Sequence, residues 1–235
     1  MNNALPTLAN CAKALDGHLP RRGQRIGLLG GSFNPAHGGH LAISREALRR
    51  LRLDRVWWLV SPQNPLKSTG ETAPLAERLA GARAWARHPR ILAGAVESAL
   101  GTTYSADTLR ALRRRFPGVR FVWLMGADNL IQIPAWKNWQ ELFHTLPVAV
   151  FNRPSYHLRA MAGKAARRFA RHRVPERRAA GLADKAPPAW VFIHQGLNAQ
   201  SSTRIRAARK GRARRTKVKD AGPIVTEHKG ERSPY

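Results

Sequence analysis

The sequence predicts an α/β fold, doubly wound, with a mostly parallel sheet covered by helices on both faces. Two observations lead there. Short, continuously apolar runs such as Ile26-Gly27-Leu28-Leu29 and Val56-Trp57-Trp58-Leu59-Val60 read as strands buried on both sides. The stretches between them place apolar residues at helical spacing, and strands alternating with helices imply parallel crossover units. At 235 residues the chain buries roughly 70–75% of its unfolded surface on folding, so core size is not limiting.

The elements follow in order. The run at Ile26–Leu29 ends in Gly30-Gly31, a buried strand entering a tight loop. From about His37 to Leu51, residues Leu41, Ile43, Ala47, Leu48 and Leu51 recur at helical spacing. Val56–Val60 is a second strand, stopped by Ser61-Pro62. Pro74 opens a helix, where its missing N–H costs nothing, and Pro89 closes it. Ile91 to Val96 is a strand, Ser105 to Phe116 a helix, and Val119 to Met125 a strand. Pro147 to Phe151 and Trp190 to Ile193 add two more strands, and a last helix follows Ser201-Ser202. The arrangement is Rossmann-like, and ligands of such sheets bind beyond the carboxyl ends of the strands at a switch point. Loops that follow strands are therefore where functional residues belong.

Composition narrows the partners. Forty-one Lys and Arg against 14 Asp and Glu leave a net charge of +27, which favours anionic partners without bearing on the fold. Residues 153–180 hold nine bases against Glu176 alone, and residues 201–219 hold nine with no acid. The single cysteine, Cys11, excludes an intrachain disulfide framework and any multi-cysteine zinc site. The N-terminus has no signal-peptide pattern, and no apolar run approaches the roughly 20 residues of a membrane span. A cytoplasmic protein without membrane partners is the expectation. Residues 1–24 are expected to be a mobile extension, residues 25–210 a single catalytic domain, and residues 211–235 a disordered basic tail with too few apolar groups to offset its ordering entropy.

The loop after the first strand carries the strongest chemistry. Gly30 to His40 opens the first helix of the domain, and its glycines let a ligand approach the backbone. The helix N-terminus adds free N–H groups and partial positive charge. His37 and His40, three residues apart, share one face of the first turn, where imidazoles suit a phosphate whose charge grows during reaction. Read alone, the pair is equally a packed and a capping histidine, or two metal ligands in want of a third. The whole string settles it. Gly31, Phe33, Pro35, His37, Gly39 and His40 fit G-x-F-x-P-x-H-x-G-H, a pattern that arises by chance in such a chain on the order of once in a million. It resembles the signature of nucleotidyltransferases related to class I aminoacyl-tRNA synthetases, whose two histidines contact ATP phosphates.

A second cradle lies at Ser201-Ser202-Thr203-Arg204-Ile205-Arg206. Ser202 is a good N-cap, and Thr203 and Arg206 project from the first turn behind it. The segment resembles the superfamily's second signature, with Gln200 in place of the usual Ile. Between the two, Ser61-Pro62-Gln63-Asn64-Pro65-Leu66-Lys67, Thr103 to Leu109, Gly126-Ala127-Asp128-Asn129-Leu130 and Asn152 to Tyr156 each follow a strand in turn, the third leading on to Pro134-Ala135-Trp136-Lys137. This ordered series resembles the nicotinate-nucleotide adenylyltransferases, from about Arg25 to Arg209.

That resemblance implies roles. His37, His40 and Arg206 would act on the transferring phosphates, and Gly31, Ser32, Phe33, Gly39, Ser202 and Thr203 would complete the ATP site. Trp136 would stack on the pyridine ring, and Ser105, where the family usually has Thr, would hold the nicotinate carboxylate. Asn34, Lys67 and Asp128 would border the mononucleotide. Ser155 stands where the family has Gly. Mg²⁺ would arrive on the ATP phosphates, with no protein metal site expected. By default a tryptophan packs, an aspartate after a strand caps a helix, and a loop lysine is solvated; the resemblance is what lifts Trp136, Asp128 and Lys67 above those readings. The competing functions are sister transfers to phosphopantetheine or nicotinamide mononucleotide, cytidylyl transfer, and basic nucleic-acid binding. No nucleic-acid-binding motif supports the last, and self-association is left open.

Overall fold

In the computed structural model, residues 8–62, 72–153 and 156–194 are described. Seven strands form one sheet in the order β3-β2-β1-β4-β5-β7-β6. They are β1 (Arg25–Gly31), β2 (Arg55–Val60), β3 (Ile91–Gly94), β4 (Arg120–Gly126), β5 (Val148–Phe151), β6 (Arg173–Val174) and β7 (Trp190–Ile193). Every pairing is parallel. The expected doubly wound class is the observed one.

Consecutive residues of each strand enter different cores, as strands covered on both faces must. Ile26, Leu28, Trp57, Phe121, Trp123, Val148, Val150, Trp190 and Phe192 belong to one apolar cluster. Leu29, Val56, Trp58, Val122, Leu124, Ala149, Phe151, Val191 and Ile193 belong to the other. Trp57 and Trp58 are both fully buried, one against each helical layer.

The helices are α1 (Leu8–Ala14), α2 (Gly38–Arg50), α3 (Leu75–Trp85), α4 (Val96–Ala99), α5 (Ser105–Arg115), α6 (Ala127–Gln132), α7 (Trp139–Thr145), α8 (His157–Met161) and α9 (Lys164–Arg168). No helix among the described residues is long and apolar enough to cross a membrane. Three expectations need correcting. The segment expected as a mobile extension is helical from Leu8 onward and packed by Cys11 on α1 and Leu15 just beyond it, both buried in the first cluster. The strand expected through Val96 stops at Gly94, and Val96 begins α4. The helix expected to run toward Pro89 ends at Trp85, where Ala86 caps it by donating to the Ala82 carbonyl. The expected last helix and the tail lie outside the described residues.

The chain runs outward through β1, β2 and β3, then returns to lay β4 on the other side of β1. That reversal makes the crevice between the carboxyl ends of β1 and β4 the switch point. Gly31 and Gly126 end the two strands there. β1 needs a glycine just before its end: a Cβ on Gly30 would sit 2.3 Å from the Trp123 ring of β4.

If α1 is part of the folded domain, Leu15→Ala removes a core side chain and lowers unfolding free energy by about 2–5 kcal/mol. Urea denaturation measures this; a change within about 0.5 kcal/mol, as for a surface position, would return the segment to a mobile extension.

Candidate active site

The loop from Ser32 to His37 leaves β1 and enters α2 at the switch point. Phe33 adopts a left-handed backbone, φ +45°, a conformation that non-glycine residues keep only where packing enforces it. Its buried ring stacks on Trp58 at 5.1 Å and lies 4.6 Å from the His40 ring. Trp58 in turn donates its Nε1–H to Ser44 Oγ at 2.7 Å, and Ser44 donates to the His40 carbonyl at 2.9 Å. The core thus holds His40 from two directions. Asn34 is also buried in this loop.

The two histidines cap their own helix. Gly39 N–H donates to His37 Nδ1 at 3.1 Å, and His37 N–H donates to His40 Nδ1 at 3.2 Å. This is a capping box with imidazoles in place of the usual hydroxyl and carboxylate. Both Nδ1 atoms act as acceptors, so both rings are the Nε2–H tautomer, and that N–H is the donor each offers a ligand. Their centroids are 3.9 Å apart.

The electrostatics agree. Burial, reinforced by the Arg153 guanidinium, lowers the His37 pKa to about 4. Burial, then His37, then Arg153 hold His40 well below the ordinary imidazole range. At neutral pH the two imidazoles are neutral donors beside Arg153.

Arg153, beyond the end of β5, is a site residue that the sequence-based roles left out. Its Nε lies 3.2 Å from Asp128 Oδ1 on the first turn of α6, an ion-pair distance without an aligned hydrogen bond. Gly126 makes room for the pair: a Cβ there would fall 2.4 Å from Asp128 Oδ1 and 2.8 Å from Arg153 Nε. A basic residue ending the apolar run of β5 at the ligand edge of the sheet was the available signal.

Trp136 follows a short 3₁₀ turn over Ile133–Ala135 and is half-buried against the first cluster. Its neighbour Lys137 places Nζ 4.5 Å from the centre of the Tyr104 ring. Tyr104 is the N-cap of α5 and Ser105 its first residue, so the structure brings the segment carrying Trp136 beside the residue before Ser105. Tyr104 gives the helix no side-chain cap, which leaves first-turn N–H groups for a ligand or water. Gly31, Ser32, Phe33, Asn34, His37, Gly39, His40, Ser105, Asp128 and Trp136 all lie at the carboxyl edge of the sheet or in the helix starts above it. Lys67, Ser202, Thr203 and Arg206 lie outside the described residues.

Comparison with known proteins adds an independent line. The cytidylyltransferase-like family model matches residues 28–208. The chain is 54% identical over 182 residues to a probable nicotinate-nucleotide adenylyltransferase of a Caulobacter species, covering 77% of this chain and 96% of that one. It is 56% identical over 182 residues to a protein of the same description from Methylorubrum extorquens, covering 77% and 98%. Among solved structures, it is similar to a Plasmodium falciparum nicotinic acid mononucleotide adenylyltransferase complexed with NaAD, with a TM-score of 0.59 at 16% identity over 78% of this chain and 83% of that one. At that identity the likeness is one of fold.

The depressed His37 pKa has a measurable cost in acid. Below pH 6.5 the unfolded chain protonates this imidazole, while the folded one stays neutral down to about pH 4. Stability is therefore lost as pH falls through that window. The His37 share of the loss between pH 7 and pH 5 is about 2 kcal/mol. His37→Asn keeps a side-chain acceptor at the cap and should remove that share in urea denaturation at the two pH values. An unchanged pH dependence would contradict a neutral His37.

Proposed function

Because the chain belongs to the nicotinate-nucleotide adenylyltransferase family, within the cytidylyltransferase-like group, we infer that it transfers the adenylyl group of ATP to nicotinate mononucleotide. The products are deamido-NAD and pyrophosphate, and the reaction serves NAD biosynthesis. The structural observation that supports this most directly is the histidine pair, tautomer-fixed at the start of α2 in the switch-point crevice.

In this reading an oxygen of the mononucleotide 5′-phosphate attacks the α-phosphorus of ATP. The new P–O bond forms as the bond to the β-phosphate bridging oxygen breaks, and pyrophosphate leaves with the electron pair. The attacking phosphate is already anionic at neutral pH, so no general base is needed, and catalysis reduces to positioning and charge stabilisation. His37 and His40, neutral with Nδ1 engaged in capping α2, donate Nε2–H to the phosphates as negative charge builds. Arg153 adds a fixed positive charge next to them. Gly31, Ser32, Phe33 and Gly39 line the same ATP site, and Ser202, Thr203 and Arg206 form its second half by their sequence pattern.

On the acceptor side, Trp136 stacks on the pyridine ring. The Ser105 hydroxyl and the uncapped first-turn amides of α5 receive the nicotinate carboxylate, while Asn34, Lys67 and Asp128 border the mononucleotide. The donor set suits a Mg²⁺ ion carried in on the triphosphate. Asp128 is engaged with Arg153, so phosphate oxygens and water would supply the ion's ligands. When bound, the ion neutralises phosphate charge and aids pyrophosphate departure. The cytoplasm, where ATP is drawn, is the compartment this reading implies.

Pyrophosphate release from ATP that depends on added nicotinate mononucleotide tests the assignment; release that is absent, or independent of a mononucleotide, would refute it. His40→Ala should lower kcat roughly 100- to 1,000-fold, the usual loss for a removed transition-state donor, with a smaller change in KM for ATP. A near-normal kcat would take His40 out of the phosphate site.

Substrate choice follows from the donors at α5. A carboxylate accepts charge-assisted hydrogen bonds from them, whereas an amide NH₂ faces donors and leaves them unpaired, at about 1–3 kcal/mol each. The kcat/KM for nicotinate mononucleotide should exceed that for nicotinamide mononucleotide by roughly 5- to 150-fold per contact. Equal values would point to a dual-specificity enzyme.

A further inference from the structure

Beneath the histidine loop lies a buried charged cluster that the reaction scheme does not use. Arg78 sits on α3 and is only 3% exposed. Its guanidinium donates to four backbone carbonyls: from Nε to Ala73 at 2.7 Å, from Nη1 to Ser32 at 2.8 Å and Ser61 at 2.7 Å, and from Nη2 to Pro62 at 2.7 Å. Ser32 belongs to the phosphate loop after β1. Ser61 and Pro62 leave β2, and Ala73 precedes α3. One side chain therefore joins the phosphate loop to both ends of the β2–α3 connection.

Glu97 on α4, also 3% exposed, completes the cluster from the loop after β3. It shares a hydrogen bond with the Ser61 side chain and feels the Arg78 charge, while burial pushes its carboxyl up to about 7. Its Oε2 has no hydrogen-bond partner among the described residues. Burying a guanidinium and a carboxyl is costly, and an apolar pair would suffice for packing alone. Only the planar five-donor fork of arginine can satisfy carbonyls from three segments at once; a lysine ammonium is a point donor.

We propose that Arg78, with Glu97 and Ser61 behind it, is a positioning residue that fixes the phosphate loop after β1 against the acceptor-side loop after β2. It touches neither substrate. It sets the distance between the phosphate cradle and the attacking mononucleotide, where a displacement of about 1 Å is worth on the order of 100-fold in rate. The inference rests on the adenylyl-transfer reading given above.

The test uses the full chain carrying Arg78→Lys or Glu97→Gln. Adenylyl transfer is followed by steady-state kinetics, ATP affinity is measured by calorimetry without acceptor, and thermal melts confirm folding. Arg78→Lys should lose roughly 30- to 100-fold in kcat, with ATP Kd altered by less than about threefold. Glu97→Gln keeps the shape and the Ser61 contact, and should lose several-fold in kcat with ATP Kd likewise preserved. Should Arg78→Lys fail to fold, Glu97→Gln decides alone. A wild-type kcat in the folded variants overturns the proposal, as does a kcat loss matched by an equal loss of ATP affinity. Wild-type chain that releases no pyrophosphate with the mononucleotide overturns the adenylyl-transfer reading, and this inference falls with it. Active wild type with unimpaired variants overturns the positioning role alone.

Discussion

Parallel strands cannot be joined by a tight turn. Each must leave the sheet at one edge, cross a face as a helix or loop, and re-enter at the opposite edge. Since every pairing in this sheet is parallel, every outgoing loop emerges along the same edge. The histidine loop after β1, Ser61-Pro62 after β2, Glu97 after β3, Asp128 after β4 and Arg153 after β5 are neighbours for that reason alone. The switch of direction between β1 and β4 opens the edge just where the histidines stand. Apolar strands with little sequence specificity thus gather polar residues more than 100 positions apart into one crevice.

Within the crevice, the helix cap and the proposed phosphate donors are the same two imidazoles. A histidine can cap a helix through Nδ1 only while that nitrogen is bare, so the capping box requires the protonation state that burial and Arg153 enforce. The remaining proton on each ring is then held at Nε2. Desolvation and a neighbouring cation favour the neutral rings, and the backbone N–H groups donating to Nδ1 select the Nε2–H tautomer. The aromatic packing of Phe33 on Trp58 and the Trp58–Ser44–His40 chain carry that order into the core.

Much of this is legible in the residues alone. Continuous apolar runs mark β1, β2, β4, β5 and β7 within a residue or two, because a strand buried on both faces has no polar positions to blur it. The short helices α6 to α9 and the two-residue β6 carry too few residues for a period to show. α1 is hidden differently: Leu8, Cys11 and Leu15 keep a helical spacing, but over so short a helix the period is too brief to announce a core contact. At the site, the six-position histidine string is readable because glycine, proline and histidine have narrow uses. Arg78 is not, since a charged residue on a helix is solvent-facing by default. The clue is its place on the same stripe as Ala82, four residues on, which is fully buried. Arg153 escapes a linear reading because its partner Asp128 is 25 positions earlier and the two meet only through the pairing of β4 with β5.

The close fit of α1 bears on how the sheet ends. β3 is an outermost strand, and a parallel sheet needs both faces of such a strand covered. The Ala14 carbonyl lies where a Cβ on Gly94 would be, 2.2 Å away, so α1 comes down directly on the last residue of that strand. The glycine is what permits this proximity. The piece that shields this corner is therefore synthesised well before the strand it covers. Fusions or truncations that disturb α1 would uncover that face of the sheet, where Cys11 and Leu15 belong to the core.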